Sequence, residues 1–278
     1  MKVSEVFGFD VENNSADAWA SRDDKLCPFR GSPCTKASKV APLGICSLSD
    51  GVRAAALCPV RFLEDRRIFS DAGRLAFGTG AQIASFPEVR ILTVAGEGGK
   101  TDRKIGKVDF LIGNIVDGKV IDFAAVEVQA AYFSGGNLQT VLRSFMENHH
   151  LDDADANRRP DFRSSAQKRL VPQLALKIPV FRRWGKKFFV VVDSKFFGAL
   201  PRFGQTNEGN SELTWLVYPF AKSGASYSLG KPEVIFSMWD DVQTALREGL
   251  PPSPNEILAE LQLKLSQQLR RGVRLTAV

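Results

Sequence analysis

Histidine is nearly missing from this chain. Of 278 residues only two are histidines, and they are neighbours, His149 and His150. They follow a helical stretch and read as an exposed helix end. Nucleophilic catalysis of the Ser/His/Asp or Cys/His kind would need one of them, and no nucleophile elbow accompanies them. A zinc deaminase needs H-x-E with P-C-x-x-C, and neither occurs. No apolar run approaches the length of a membrane span. The opening MKVSEVFGFDVENN has acidic residues early and no apolar core of a secretory signal, so the expected compartment is the cytoplasm. GEGGKT (96–101) looks like part of a phosphate-binding loop. That motif needs glycine where the chain has Val94, and no helix opens after it. Internal repeats and low-complexity segments are absent too.

What is present bounds a folded chain with a basic surface. Hydrophobic residues make up 44% of the sequence, and the formal net charge is +6. That supplies a sizeable core and suits a polyanionic partner without requiring one. Residues 1–24 are polar and read as an N-terminal arm. Residues 25–65, rich in Pro, Gly, Ser and Lys, read as a loop-built module. SDAGRLAFG (70–78) is expected to form a short helix capped by Ser70 and stopped by Gly78. Strands are expected at 89–95, 107–115 and 119–129. A helix follows at 137–148, then a polar loop (152–161) and a helix over 164–177 interrupted by Pro172. KKFFVVVD (186–193) reads as a buried parallel strand. Two more strands are expected at 214–220 and 232–238. Ser253-Pro254-Asn255-Glu256 is a capping box opening a last helix. This order predicts an α/β (α+β) architecture, a mixed β-sheet flanked by helices.

All four cysteines, Cys27, Cys34, Cys46 and Cys58, fall in the expected module, with six, eleven and eleven residues between them. Disulfides are disfavoured in a cytosolic protein, whereas four thiolates can close a tetrahedral site for zinc or iron. Such a closed site is structural and would fold a segment that has little core of its own. Unliganded thiols and disulfides are the alternatives.

The second cluster is acidic. In FAAVEVQAAYF (123–133), Glu127 and Gln129 share one face of a strand while Val126 and Val128 take the other. A carboxylate in such a run needs a partner. Asp109, flanked by Val108 and Phe110, sits across one hairpin. A two-residue Asp117-Gly118 loop places Asp109 opposite Val126, on the wrong face for Glu127. A three-residue loop from Val116, with Gly118 left-handed, places it opposite Ala125, diagonal to Glu127. That loop, or a compensating bulge, is predicted. Two carboxylates on one face repel unless a cation sits between them. Hard oxygen ligands in an incomplete cage fit Mg2+. Gln129 would then orient a water or contact a phosphate. A solvated sheet face is the plain alternative.

These residues carry a resemblance. VDF…VEVQ resembles the PD-(D/E)XK nuclease signature, with Val108 for Pro and Gln129 for Lys. CPFRGSPC…GIC…CPVRF is similar to the cysteine segment of the NotI family of restriction endonucleases, whose active strand also carries Glu-x-Gln. LAFGTG (75–80) and AAYFSGG (130–136) are similar too. The resemblance covers roughly residues 25–200. It implies a restriction-endonuclease-like fold, a PD-(D/E)XK nuclease domain at 66–278 with a C-terminal helical extension, and a type II restriction endonuclease. Asp109 and Glu127 are implied as Mg2+ ligands, and Gln129 as occupant of the lysine position. A further upstream acid is implied, Glu97 or, failing that, Glu88. The four cysteines are implied around one metal ion, iron in the family. Double-stranded DNA is the implied partner and a homodimer the expected assembly. Lys100, Arg103, Lys104, Lys107, Arg158, Arg159, Lys168, Arg169, Arg30, Lys36 and Lys39 are candidates for the DNA channel. A metal-bound DNA-binding or scaffold protein without catalysis, and a same-fold nuclease of repair or another defence system, are the competing functions.

Overall fold

The computed structural model describes residues 1–36, 42–94, 103–133, 138–151, 160–224, 226–247 and 252–271. Two compact units emerge, Met1–Leu246 and Arg247–Val278.

The first unit opens with strands β1 (Lys2–Val6) and β2 (Phe9–Asp10), then helix α1 (Ala16–Asp23). A short pair follows, β3 (Leu26–Cys27) with β4 (Ser32–Pro33), and then β5 (Ile45–Ser49) and β6 (Ala54–Ala56). Strands β2, β1, β5 and β6 make a four-stranded sheet in that order. The first 24 residues, expected as a polar arm, therefore contain a core strand: Val3 and Val6 are buried. Composition misleads here because the pairing of β1 with β5 is non-local.

After a 3-10 segment (Pro59–Arg66), helix α2 spans Arg67–Phe77. It begins earlier than the Ser70 cap predicts. Ser70 lies inside the helix, and the N-cap is Arg66 in a left-handed conformation without a side-chain cap. Gly78 does end it, at φ 90°.

The main sheet has six strands: β7 (Gln82–Val94), β8 (Arg103–Val116), β9 (Lys119–Val128), β12 (Phe188–Asp193), β13 (Leu213–Tyr218) and β16 (Glu233–Ser237). Two small two-stranded sheets, β10 (Tyr132–Phe133) with β11 (Pro160–Asp161) and β14 (Phe220–Ser223) with β15 (Ser226–Leu229), lie outside it. The sheet order is β16-β13-β12-β9-β8-β7. Strand β12 runs parallel to both neighbours, while β7-β8-β9 is an antiparallel meander and β16 is antiparallel to β13. The sheet is mixed, as expected. All six residues of β12 are buried, the behaviour its continuous apolar run predicts.

Further helices among the described residues are α3 (Leu138–Asn148), α4 (Val171–Trp184), α5 (Ser194–Gly198) and α6 (Trp239–Arg247), with short helical turns at Phe162–Ser165 and Glu208–Asn210. One face of the sheet packs a core that includes Ala125, Val190, Trp215 and Val217 with residues of α3, α4 and α6. The other face packs Ala124, Val126, Val128 and Val191 with α2 and the Ala54–Phe62 region. A π-helical turn (Ala166–Leu170) leads into α4. Pro172 falls in its first turn, where a missing N–H costs nothing. The helix continues past the expected end at Lys177 to Trp184.

The second unit carries helix α7 (Pro254–Arg270). Its capping box is formed in full, between Ser253 and Glu256.

Candidate active site

The local register of the β8–β9 hairpin sets the site. Val116 faces Lys119 around a two-residue loop, with Asp117 at φ 49° and Gly118 at φ 72°. Both central residues have positive φ, the signature of a tight hairpin turn that matches strand twist. The loop is therefore the shorter of the two considered. The pairing then shifts by one residue: Ile115 faces Val120, but Asn114 faces Asp122, so Ile121 is left over as a bulge. Beyond it, Phe110 faces Val126. The next position outward places Asp109 directly across from Glu127 rather than diagonal to it. The compensating bulge is what joins the two carboxylates.

Each carboxylate folds back on the other's strand. Asp109 N–H donates to Glu127 Oε1 at 3.2 Å, and Val128 N–H donates to Asp109 Oδ2 at 3.0 Å. Lys177 Nζ on α4 donates to the same Glu127 Oε1 at 2.6 Å. Glu127 Oε2 and Asp109 Oδ1 are not taken by these contacts. Glu127 is 2% exposed. Burial, and then the neighbouring charge of Asp109, push its carboxyl up to about 7, with Lys177 acting against both.

The meander adds a third acid. On β7, Pro87 faces Phe110 and Val89 faces Val108, which sets Glu88 across from Asp109. Glu88 itself has φ 58°, and its carboxylate accepts from Lys107 Nζ at 2.7 Å, which holds it below its usual range. Glu97, the preferred upstream acid, lies outside the described residues. So do Lys39, Lys100, Arg158 and Arg159.

Asp109, Glu88 and Gln129 line one cleft of about 1010 Å³. Arg30, Lys36 and Arg169 line it as well, bringing basic side chains from two distant segments to the acidic row. Gln129 caps the end of β9: its N–H donates to Val191 O at 2.9 Å, and its amide donates to Ala130 O at 2.6 Å. Arg169 lies over the Tyr132 ring, 4.0 Å from its centroid. Among the described residues no group of three or more His, Cys, Asp or Glu side chains stands close enough to hold a metal ion. Two adjacent carboxylates with free oxygens still fit Mg2+, which takes one or two protein carboxylates and fills its shell from water and phosphate.

The four cysteines are free thiols, and Cys27, Cys46 and Cys58 are buried. Cys27 interacts with Cys58 and Cys34, and Cys46 with Cys58 and Cys27. Burial above all pushes the Cys27 and Cys46 thiols up. The fold gathers them, but no three of them stand in a ligating arrangement. Lys36 reaches into this group and donates to Leu57 O.

A family model described as restriction endonuclease NotI matches residues 6–229. The chain belongs to the NotI restriction endonuclease family. Among the curated proteins compared with it, none matches. Membership in the NotI family makes the protein a type II site-specific endodeoxyribonuclease. The NotI match takes in the cysteine segment, the whole acidic meander and α4. Among the described residues no helix is long and apolar enough to cross a membrane.

One residue of this site escaped the sequence reading. Lys177 falls in the seam Leu174, Lys177, Ile178, Phe181 that α4 buries. A lysine at a core-facing position of an amphipathic helix is the signal that could have found it.

The raised Glu127 carboxyl has a consequence for stability. The native state holds that proton more tightly than the unfolded chain does. The stabilisation is fully present below the ordinary glutamate value of 4.5 and is lost as pH rises through about 7. The metal-free protein should lose on the order of 3 kcal/mol over that window. Asp193, wholly buried and pushed up to about 6, adds a slope of the same sign. Urea unfolding from acid to mildly alkaline pH should show stability falling, with a shallower fall in Glu127→Gln. A variant as steep as the wild type would contradict the assignment.

Proposed function

We propose that this cleft hydrolyses phosphodiester bonds of double-stranded DNA with Mg2+ held by Asp109 and Glu127. The observation that supports the reading is the Ile121 bulge, which sets Glu127 face to face with Asp109, and Asp109 lines a cleft with basic walls. A bound Mg2+ would supply Lewis-acid charge at the phosphate and a water of lowered pKa. The chain's own groups do the rest. Asp109 and Glu127 present Oδ1 and Oε2. Gln129 orients the attacking water or contacts the scissile phosphate. Glu88, in the same row, is the available further acid; Glu97, the acid preferred from the sequence, lies outside the described residues. Arg30, Lys36 and Arg169 hold the DNA backbone. Water attacks phosphorus, the P–O3′ bond breaks, and the ends are a 3′-hydroxyl and a 5′-phosphate.

This reading includes the restriction-endonuclease-like PD-(D/E)XK fold for 66–278, a cytoplasmic setting, and a two-fold homodimer, since both strands of a palindromic site must be cut. It also includes a structural iron or zinc ion on Cys27, Cys34, Cys46 and Cys58. The donor chemistry of four thiols in one segment supports that ion, and metal analysis of the purified protein tests it. The activity itself is tested by incubating the protein with phage DNA and Mg2+ and mapping the ends. Discrete fragments with 5′-phosphates are expected, and none with EDTA. Random degradation would move the assignment to a non-specific nuclease. Tight DNA binding with no cleavage would move it to a binding protein.

A further inference from the structure

Lys177 stands where a hydrophobic residue belongs. Helix α4 packs on the sheet through Leu174, Lys177, Ile178 and Phe181, and Lys177 is 3% exposed. A buried ammonium is expensive unless it is paired and hydrogen-bonded. Its partners are Glu127 Oε1 at 2.6 Å and, one turn back on the same helix, Gln173 Oε1 at 3.3 Å. Gln173 lines the cleft beside Asp109 and Gln129. The strand after Glu127 offers no cation of its own, because Gln129 stands two residues on.

We propose that Lys177 is a positioning residue of this site, a fixed internal cation that holds Glu127 beside Asp109 and reduces the charge of the carboxylate pair. The inference rests on the Asp109–Glu127 reading. Two carboxylates alone present two negative charges. With the ammonium bound to Glu127 Oε1, the group presents one. A divalent cation is then held weakly by the free enzyme and firmly once a DNA phosphate completes its shell. The same contact fixes the Glu127 side chain, since Oε1 is held by both Lys177 Nζ and the Asp109 N–H. Oε2 is thereby left for the cation.

The test uses the full chain, with Mn2+ as the probe. Binding of Mn2+ without DNA is read by electron paramagnetic resonance at alkaline pH, and cleavage by single-turnover kinetics at saturating metal. Lys177→Met should bind Mn2+ at least about fivefold more tightly, because the repelling charge is gone. It should cleave on the order of a hundredfold more slowly, because Glu127 is no longer held. Lys177→Arg restores the charge, and should return Mn2+ affinity toward wild type and recover part of the cleavage. A folded Lys177→Met with unchanged or weaker Mn2+ binding overturns the proposal, as does Lys177→Arg no better than Met in both readouts. If Lys177→Met does not fold, Lys177→Arg decides. Wild-type Mn2+ affinity with measurable cleavage supports the proposal, and a folded Arg variant that binds Mn2+ several-fold more tightly overturns it. Asp109→Ala separates the two levels. If it still cleaves, the underlying reading falls. If it is dead while Lys177→Met behaves as wild type, only this inference falls.

Discussion

Asp109→Asn should lower single-turnover DNA cleavage by on the order of a thousandfold, the scale set by losing one preorganised charge from a phosphoryl-transfer site. Binding to the cognate DNA, measured by fluorescence anisotropy with Ca2+ in place of Mg2+, should survive. The reason is geometric. Asp109 Oδ2 is tied to the Val128 N–H at 3.0 Å, and the asparagine side chain keeps a carbonyl oxygen for that bond. The fold is left intact while one of the two carboxylate charges is removed. A folded Asp109→Asn enzyme that cuts at the wild-type rate would take Asp109 out of the chemistry. Loss of binding along with cleavage would point to a structural role instead.

Arg61→Ala should destabilise the protein by about 3–5 kcal/mol, as expected when one partner of a buried ion pair is removed and the other is left behind. Arg61 is 1% exposed. Its Nε donates to both oxygens of Glu5, at 3.0 and 2.9 Å, and its Nη2 to Tyr227 O at 2.6 Å. Nη1 pairs with Glu64 at 2.9 Å, and the guanidinium lies over the Phe29 and Phe220 rings. One side chain thus ties β1, the cysteine hairpin and the β14–β15 hairpin together. Truncation leaves Glu5 buried with Ser47 as its remaining donor among these contacts. Urea unfolding midpoints measure the effect. The double variant Arg61→Met, Glu5→Leu should lose much less than Arg61→Ala alone. A loss below about 1 kcal/mol for the single variant, the scale of an exposed pair, would show that the network is not a stabilising tie. The exposed Lys264–Glu260 pair on α7 is of that weaker kind.

The contrast between these two regions shows what the sequence could reveal. Strand β12 was legible because its apolar run has the length and continuity of a buried strand, and β8 and β9 as a pair of strands around a turn, but β7 was expected only from residue 89 and begins at Gln82, with none of its residues buried. The helix at Pro254 was legible because its capping box is local. The acidic pair was legible as residue types, and its shared face followed from counting along a hairpin. The bulge at Ile121 was anticipated only as an alternative to a longer loop, because nothing in KVIDF marks which residue is left over. The burial of β1 was missed because its partner β5 lies some forty positions away. Lys177 was missed because the helix was expected to end at that residue. Extending the apolar seam one turn further, to Ile178 and Phe181, exposes the lysine as an intruder.

The single unpaired residue at the hairpin tip acts as a parity setting for the enzyme. Side chains alternate faces along a strand, so one extra residue decides which side of the sheet Glu127 occupies relative to Asp109. Exchanging Ile121 for another strand-forming residue leaves that parity alone, whereas removing it would turn Glu127 toward the opposite core while the rest of the hairpin still pairs. At this tip the chain is constrained in length more than in letters. Insertions and deletions there are a route from an active nuclease to a chain without the paired acids.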